Sequence, residues 1–260
     1  MLNWYYELIY QIKFYFLKRK LKKKRSLSIQ MNTIQDFYDI NHFPGDYDVS
    51  YCADAAVNGF NPYIKFIIDN IKKGDKVIDV GCGTGYITNT IATLKQNIIT
   101  GLDFSNAIKI AEEKSILLNN NVTWIKEDFF NYNNDVKYNV IICQGVFHHM
   151  PSYMNAINKF YEMLDDDGIL LLGVYNKWVK ILQKVLPLSF YNSNILRTDQ
   201  MLCPFEVGFS RAQVKKLFLN FKIINSYPKT FNYFPNLHLC TKINSGGLTL
   251  FKLTKGDVNV

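Results

Sequence analysis

Val77-Ile-Asp-Val-Gly-Cys-Gly-Thr-Gly-Tyr-Ile-Thr88 decides the fold of this chain. A short Val- and Ile-rich run that ends in glycines and continues into helix-compatible sequence reads as a buried parallel strand turning sharply into a helix. Gly81, Gly83 and Gly85 admit backbone conformations that a Cβ would block, so a ligand can lie directly on the turn. The dinucleotide fingerprint requires a third glycine or alanine where this chain has Tyr86, and no GxxxxGK[ST] phosphate loop is present. Pyrophosphate is therefore not the expected ligand.

Downstream, apolar runs alternate with helical periodicity. Tyr86 to Leu94 reads as a helix, Asn97 to Leu102 as a strand, and Asn106 to Leu118 as a helix that Ser105 can cap. Val122 to Ile125 and Tyr138 to Cys143 read as strands. Pro151 to Leu164 is a helix stopped by a turn at Asp165-Asp-Asp-Gly168, and Ile169 to Val174 is a fifth strand. Ser210 to Phe218 (helix), Phe221 to Tyr227 and Leu248 to Leu253 (strands) complete a Rossmann-like, seven-stranded, mostly parallel α/β sheet with helices on both faces and its last strand antiparallel. Upstream, Pro62 to Ile71 reads as a helix with Gly74 beyond its end, and Ser26 to Gly59 as a short helix and an irregular segment over the cleft.

Length and composition fit one domain with decorations. The net charge is +8, yet Lys18-Arg-Lys-Leu-Lys-Lys-Lys-Arg25 carries seven positive charges, which leaves the rest near +1. A basic stripe tracking a phosphate backbone is thus not indicated, and nucleic acid is not the expected partner. Five scattered cysteines form no CxxC pair, and the four histidines form no HExxH motif, so a reducing, cytoplasmic setting and no metal are expected. Residues 1–25 form an arm of their own, with aromatic and aliphatic residues from Trp4 to Leu17 followed by the basic tract. The apolar run is too short and too interrupted to span a bilayer, and its charges follow it rather than precede it as in a secretory signal. Peripheral contact with the inner face of a membrane is one reading. A basic tail, or packing on the body or a second subunit, is the other.

Candidate chemistry gathers at strand ends. Asp103 closes the second strand about 20 residues past the glycine turn, where a carboxylate reaches both ribose hydroxyls of a nucleoside crossing the strand ends. Its alternative task, capping the next helix, is one that Ser105 already suits. After the fourth strand, Gln144-Gly-Val-Phe-His-His-Met-Pro151 should rim the cleft, because ligands of open α/β sheets sit beyond the carboxyl ends of strands where strand order reverses. His148 or His149 can take a proton from an acceptor, since imidazole titrates near neutrality. Each can equally serve packing or helix capping.

An acidic residue followed by GxGxG, here Asp79 and Gly81-Cys-Gly-Thr-Gly85, resembles the first signature of class I S-adenosylmethionine-dependent methyltransferases. With Phe37-Tyr-Asp39, Gly145-Val-Phe-His-His149, Gly173-Val-Tyr-Asn176, Asp199-Gln200, Pro204, Glu206 and Ser210 to Pro228, the chain looks like a bacterial group often likened to quinone-biosynthesis enzymes. The aromatic, basic arm departs from that pattern. The resemblance implies an S-adenosyl-L-methionine pocket formed by Asp79, Gly81, Cys82, Gly83, Gly85, Asp103, Phe104, Asp128, Phe129, Gln144 and Gly145. The glycine turn would hold the methionine part, with Asp79 behind it or near the amino group. Asp128 would accept from the adenine amino group, with Phe129 against the ring; a solvated acidic turn is the alternative. It implies a methyltransferase domain over residues 26–260 and transfer to oxygen, nitrogen or carbon of a small, lipophilic acceptor, with RNA methylation through the basic tract as the alternative. Residues 175–209 form an insertion in which Trp178, Ile181, Leu182, Val185 and Leu186 recur at helical spacing. That stripe is a lid over an apolar acceptor, a helix packed on the body or a homodimer interface.

Overall fold

The computed structural model describes residues 34–40, 62–177, 207–227 and 248–256. The 1–25 arm, the His42 to Tyr47 segment, the Trp178 to Leu186 stripe, and Asp199, Gln200, Pro204, Glu206 and Pro228 lie outside the described residues.

Seven strands form one sheet in the order β3-β2-β1-β4-β5-β7-β6. They are β1 (Lys76–Val80), β2 (Ile98–Asp103), β3 (Val122–Lys126), β4 (Tyr138–Gln144), β5 (Leu164–Tyr175), β6 (Phe221–Tyr227) and β7 (Leu248–Lys255). Neighbours from β3 to β5 pair in parallel, and β7 runs antiparallel to both β5 and β6. The expected Rossmann-like sheet with its last strand reversed is thus present. Around it lie α1 (Ile34–Ile40), α2 (Pro62–Asp69), α3 (Tyr86–Lys95), α4 (Ala107–Leu117), α5 (Tyr153–Met163) and α6 (Arg211–Leu217).

The central strands read as unbroken apolar runs because both faces are covered. Val77, Ile99, Val140, Ile142 and Leu171 face a core built with Tyr63, Ile64 and Ile67 of α2 and Ile87 and Ile91 of α3. On the opposite face of the same strands, Ile78, Leu102, Ile141, Leu170 and Leu172 meet a second core with Ala156, Ile157 and Phe160 of α5 and Val214 of α6. Side chains alternate across a strand, so helices must cover both sides or one row would face water. Ser210 starts α6 with a reciprocal capping box to Gln213, which fixes that helix where the sequence placed it.

One local expectation changes. Asp165-Asp-Asp-Gly168 belongs to β5 rather than to a separating turn. Pairing with β4 passes from Tyr138–Leu164 to Val140–Ile169, so the four residues Asp165 to Gly168 oppose Asn139 alone. Leu164 is fully buried and anchors the strand before this irregularity, whereas the three aspartates are exposed. The acidic, glycine-ended composition of a turn served equally well for an excursion within a strand.

Candidate functional site

Strand order reverses at β1, with β2 on one side and β4 on the other, which opens a crevice beyond their carboxyl ends. Three segments meet there: the 81–85 turn after β1, Asp103 at the end of β2, and residues 144–149 after β4. The turn is fastened to β2. Gly81 N and Cys82 N both donate to Leu102 O at 2.7 and 3.2 Å, and Gly83 N donates to Asp103 Oδ2 at 2.7 Å. Gly81 sits at φ +73°, in the left-handed region, and a Cβ there would lie 2.3 Å from Val146 Cγ2. Two loops approach closely only because that side chain is missing.

Asp103 performs more tasks than one. Its Oδ1 accepts from Ser105 N (2.8 Å) and Ser105 Oγ (2.7 Å), while Oδ2 holds the glycine turn. Ser105 Oγ in turn accepts from Ala107 N at 3.3 Å, although Asn106 occupies the cap position and uses its side chain to accept from Lys126 Nζ. The capping network therefore runs through Ser105 into Asp103. A carboxylate offers about four acceptor positions, so a further donor can still reach it. Burial pushes the Asp103 carboxyl up, the Ser105 and Gly83 bonds pull it back, and Asp39 raises it again.

Asp79 lies behind the turn, 3% exposed, and accepts a 2.6 Å hydrogen bond from Thr88 Oγ1 of α3. Burial pushes its carboxyl from 3.8 up to about 7; the Thr88 bond opposes this and Asp103 adds to it. The folded chain thus keeps a proton that the unfolded chain loses. Asp79 favours the folded state below about pH 4, and that contribution is lost as pH rises toward about 7. The ligand-free protein should melt lower at pH 7.5 than at pH 5.5, and Asp79→Asn should shrink the difference. An unchanged difference in the variant would contradict this, as scanning calorimetry can establish.

After β4, Gly145 takes φ +79°, and a Cβ there would meet nothing within 4 Å. Gln144 Oε1 is buried and accepts no hydrogen bond among the described residues. Phe147–His149 form a 3₁₀ turn that buries both histidines. His148 is wholly buried: its ring stacks on Tyr175 at 3.8 Å and its Nδ1 accepts from Tyr175 N at 3.4 Å. His149 Nε2 shares a 3.0 Å hydrogen bond with Tyr38 Oη of α1. Sequence reading treated the two histidines alike; their rings both neighbour Tyr175, but their hydrogen-bond partners differ.

Helix α1 spans the crevice. Gln35 Nε2 donates to Phe104 O, Asn106 N donates to Asp39 Oδ1 at 2.6 Å, and Tyr38 reaches His149 on the other side. Tyr38, Gln35 and Asp39 were not among the site residues read from sequence, because the surrounding stretch carries no clean period. Phe37, 1% exposed between more open neighbours, packs this element onto the body. At the third strand, Asp128 is exposed and caps its own turn by accepting from Phe130 N at 2.9 Å. Phe129 points into the core against Phe160, with ring centroids 4.9 Å apart. Cys82 is buried, and its thiol is pushed well up, by burial first and then by Asp103 and Asp79.

The Methyltransferase domain family matches residues 71–227, the span that holds the sheet from β1 to β6 and every strand-end segment of the crevice. The chain belongs to that family. It is 31% identical over 121 residues to the ubiquinone biosynthesis O-methyltransferase of Actinobacillus pleuropneumoniae, covering 44% of this chain and 51% of that one. It is 28% identical over 144 residues to malonyl-[acyl-carrier protein] O-methyltransferase 1 of Ilyobacter polytropus, covering 53% and 54%. The chain thus spans about half the length of the curated relatives it matches. Its fold is shared with magnesium protoporphyrin IX methyltransferase of Synechocystis, solved with bound S-adenosylhomocysteine (TM-score 0.58, 17% identity, 86% of this chain and 98% of that one).

Proposed function

We propose that the chain transfers a methyl group from S-adenosylmethionine to an oxygen, nitrogen or activated carbon of a small, lipophilic acceptor. The observation that carries this reading is the glycine turn hydrogen-bonded to Asp103 at the end of the neighbouring strand, beside the open space at Gly145. The residues fit such a donor. Asp103 retains acceptor capacity for ribose hydroxyls, Gly145 leaves room for close backbone approach, and the unpartnered Gln144 Oε1 suits a donor N–H. The bound donor supplies a sulfonium whose methyl group is electrophilic. The chain's tasks are to hold the acceptor in line, exclude water and, for a protonated acceptor, remove a proton.

His149 is the better candidate for that base. Its Nε2 already hydrogen-bonds a phenol on the covering helix, whereas His148 Nδ1 accepts from the β5 backbone beneath a stacked tyrosine. The neutral imidazole is the form that accepts a proton, and an acceptor O–H or N–H would take the place of Tyr38 Oη at Nε2. General-base assistance contributes about 10²–10⁴-fold, so His149→Gln should lower kcat by about 100-fold with little change in donor affinity. A kcat within a few-fold of the parent would mean that alignment alone suffices. Both ends of the 175–209 insertion lie beside the histidines: Val207 N donates to His148 O, and Phe209 N to Tyr175 O. Their position supports the lid reading.

Uptake of labelled methyl from isotopically marked S-adenosylmethionine by fractionated host extract tests the whole proposal. Label in the small-molecule or lipid fraction supports it; label confined to RNA overturns the acceptor class. For residues 1–25 we propose adsorption to an anionic membrane surface. Truncation to Ser26 should abolish sedimentation with phosphatidylglycerol vesicles, and undiminished sedimentation would remove the idea.

A further inference from the structure

Two carboxyls are buried beside the glycine turn, Asp79 behind it and Asp103 at its side, 3% and 7% exposed. Among the described residues every hydrogen-bond partner they have is neutral: Thr88 Oγ1 for Asp79, and Gly83 N, Ser105 N and Ser105 Oγ for Asp103. Among the described residues no lysine, arginine or histidine pairs with either; the ion pairs lie at Lys65–Asp69 and Lys255–Asp166, away from the turn. The other titratable groups that act on them are Cys82 in the turn, Cys143 of β4 and Asp39 of α1, none of which is cationic. A buried carboxylate without a counter-charge is costly, and the group avoids the cost by keeping its proton. Two such groups beside the turn favour a ligand that carries positive charge.

We infer that the Asp79–Asp103 pair reads the charge of the donor, so that binding the sulfonium form expels a proton from Asp79 and binding the demethylated product does so less. This inference rests on the proposal that the pocket takes S-adenosylmethionine. The donor carries an ammonium, a sulfonium and one carboxylate; its product carries the ammonium and carboxylate alone. When the S–CH₃ bond breaks, its electron pair stays on sulfur, the methyl carbon bonds to the acceptor atom, and the sulfonium charge disappears. The field holding Asp79 ionised weakens at that moment, a solvent proton returns to the carboxylate, and the pocket's grip on product falls. Asp79 acts through this field, being turned toward Thr88, and is therefore a specificity residue rather than a catalytic one.

The test is titration calorimetry of the full chain with S-adenosylmethionine and S-adenosylhomocysteine at pH 6.5, each in two buffers of different ionisation enthalpy. At that pH, below the value of about 7 that burial gives Asp79, donor binding should release roughly half a proton or more, and product binding distinctly less. Asp79→Asn should bind both compounds and release distinctly less proton on donor binding than the parent, with donor preference over product reduced by up to about tenfold, the equivalent of one pKa unit. Thr88→Val removes the bond that favours the ionised form and keeps the carboxyl. It should move the midpoint of proton release to higher pH, which tests the idea even if the asparagine variant does not fold. Tight binding of both compounds with equal proton release overturns the inference and leaves the pocket assignment intact. Binding of neither overturns both.

Discussion

Asp103→Ala is expected to weaken binding of S-adenosylhomocysteine by about 100-fold or more while changing stability little. Two ribose hydroxyls donating to a carboxylate contribute about 1.5 kcal/mol each at the low end for charged acceptors, and about 3 kcal/mol corresponds to two decades of affinity. The stability terms oppose one another. Truncation leaves Gly83 N and Ser105 N without their acceptor, at about 1–3 kcal/mol apiece. It also removes a buried carboxyl that has no counter-ion among the described residues, which returns desolvation free energy of similar size. A small shift in urea midpoint with a large loss of affinity is therefore the signature of a ligand-binding carboxylate. If affinity and stability fell together, Asp103 would be a fastener of the turn and nothing more. Asp103→Asn, which keeps one acceptor, should lie between parent and alanine variant.

Gly81→Ala should be strongly damaging for the addition of a single methyl group. Its φ of +73° is left-handed, at roughly 1–2 kcal/mol for a residue with a Cβ. The added carbon would lie 2.3 Å from Val146 Cγ2 and 2.8 Å from Cγ1, an overlap that costs roughly 1–3 kcal/mol as overpacking. A loss of about 2–5 kcal/mol follows, together with loss of donor binding as the turn and the 144–149 segment are forced apart. The double variant Gly81→Ala/Val146→Ala separates the causes: it should recover the overlap part and leave the backbone part. Full recovery would assign everything to Val146, and no recovery would assign everything to φ.

The contrast between these residues and those of α1 shows which parts of the site the sequence discloses. Gly81 and Asp103 act through backbone conformation and strand position, both of which follow from local pattern: a Val/Ile run, a glycine triplet, and a carboxylate at the next strand's end. Tyr38 acts through a contact with a residue 111 positions away, and no local period can announce such a pair. The same limit applies to His148 and His149. Adjacent in sequence, identical in type and both against Tyr175, they differ in the hydrogen bond the fold gives each: β5 backbone for one, the α1 phenol for the other. The β5 irregularity followed the same logic, since Asp165 to Gly168 has the composition of a turn whether or not pairing resumes beyond it.

By itself the sequence determined the class of fold, the count and direction of strands, and the glycine turn with its two carboxylates. Apolar runs of strand length must be buried on both faces, and helical segments between them allow only parallel neighbours. The tertiary structure decided which acceptor atoms are committed, which hydrogen-bond partner each histidine takes, and that the two carboxylates share a buried setting with no cation among the described residues. Those are properties of desolvation and of distance between residues far apart in the chain, and they exist only once the strands lie side by side.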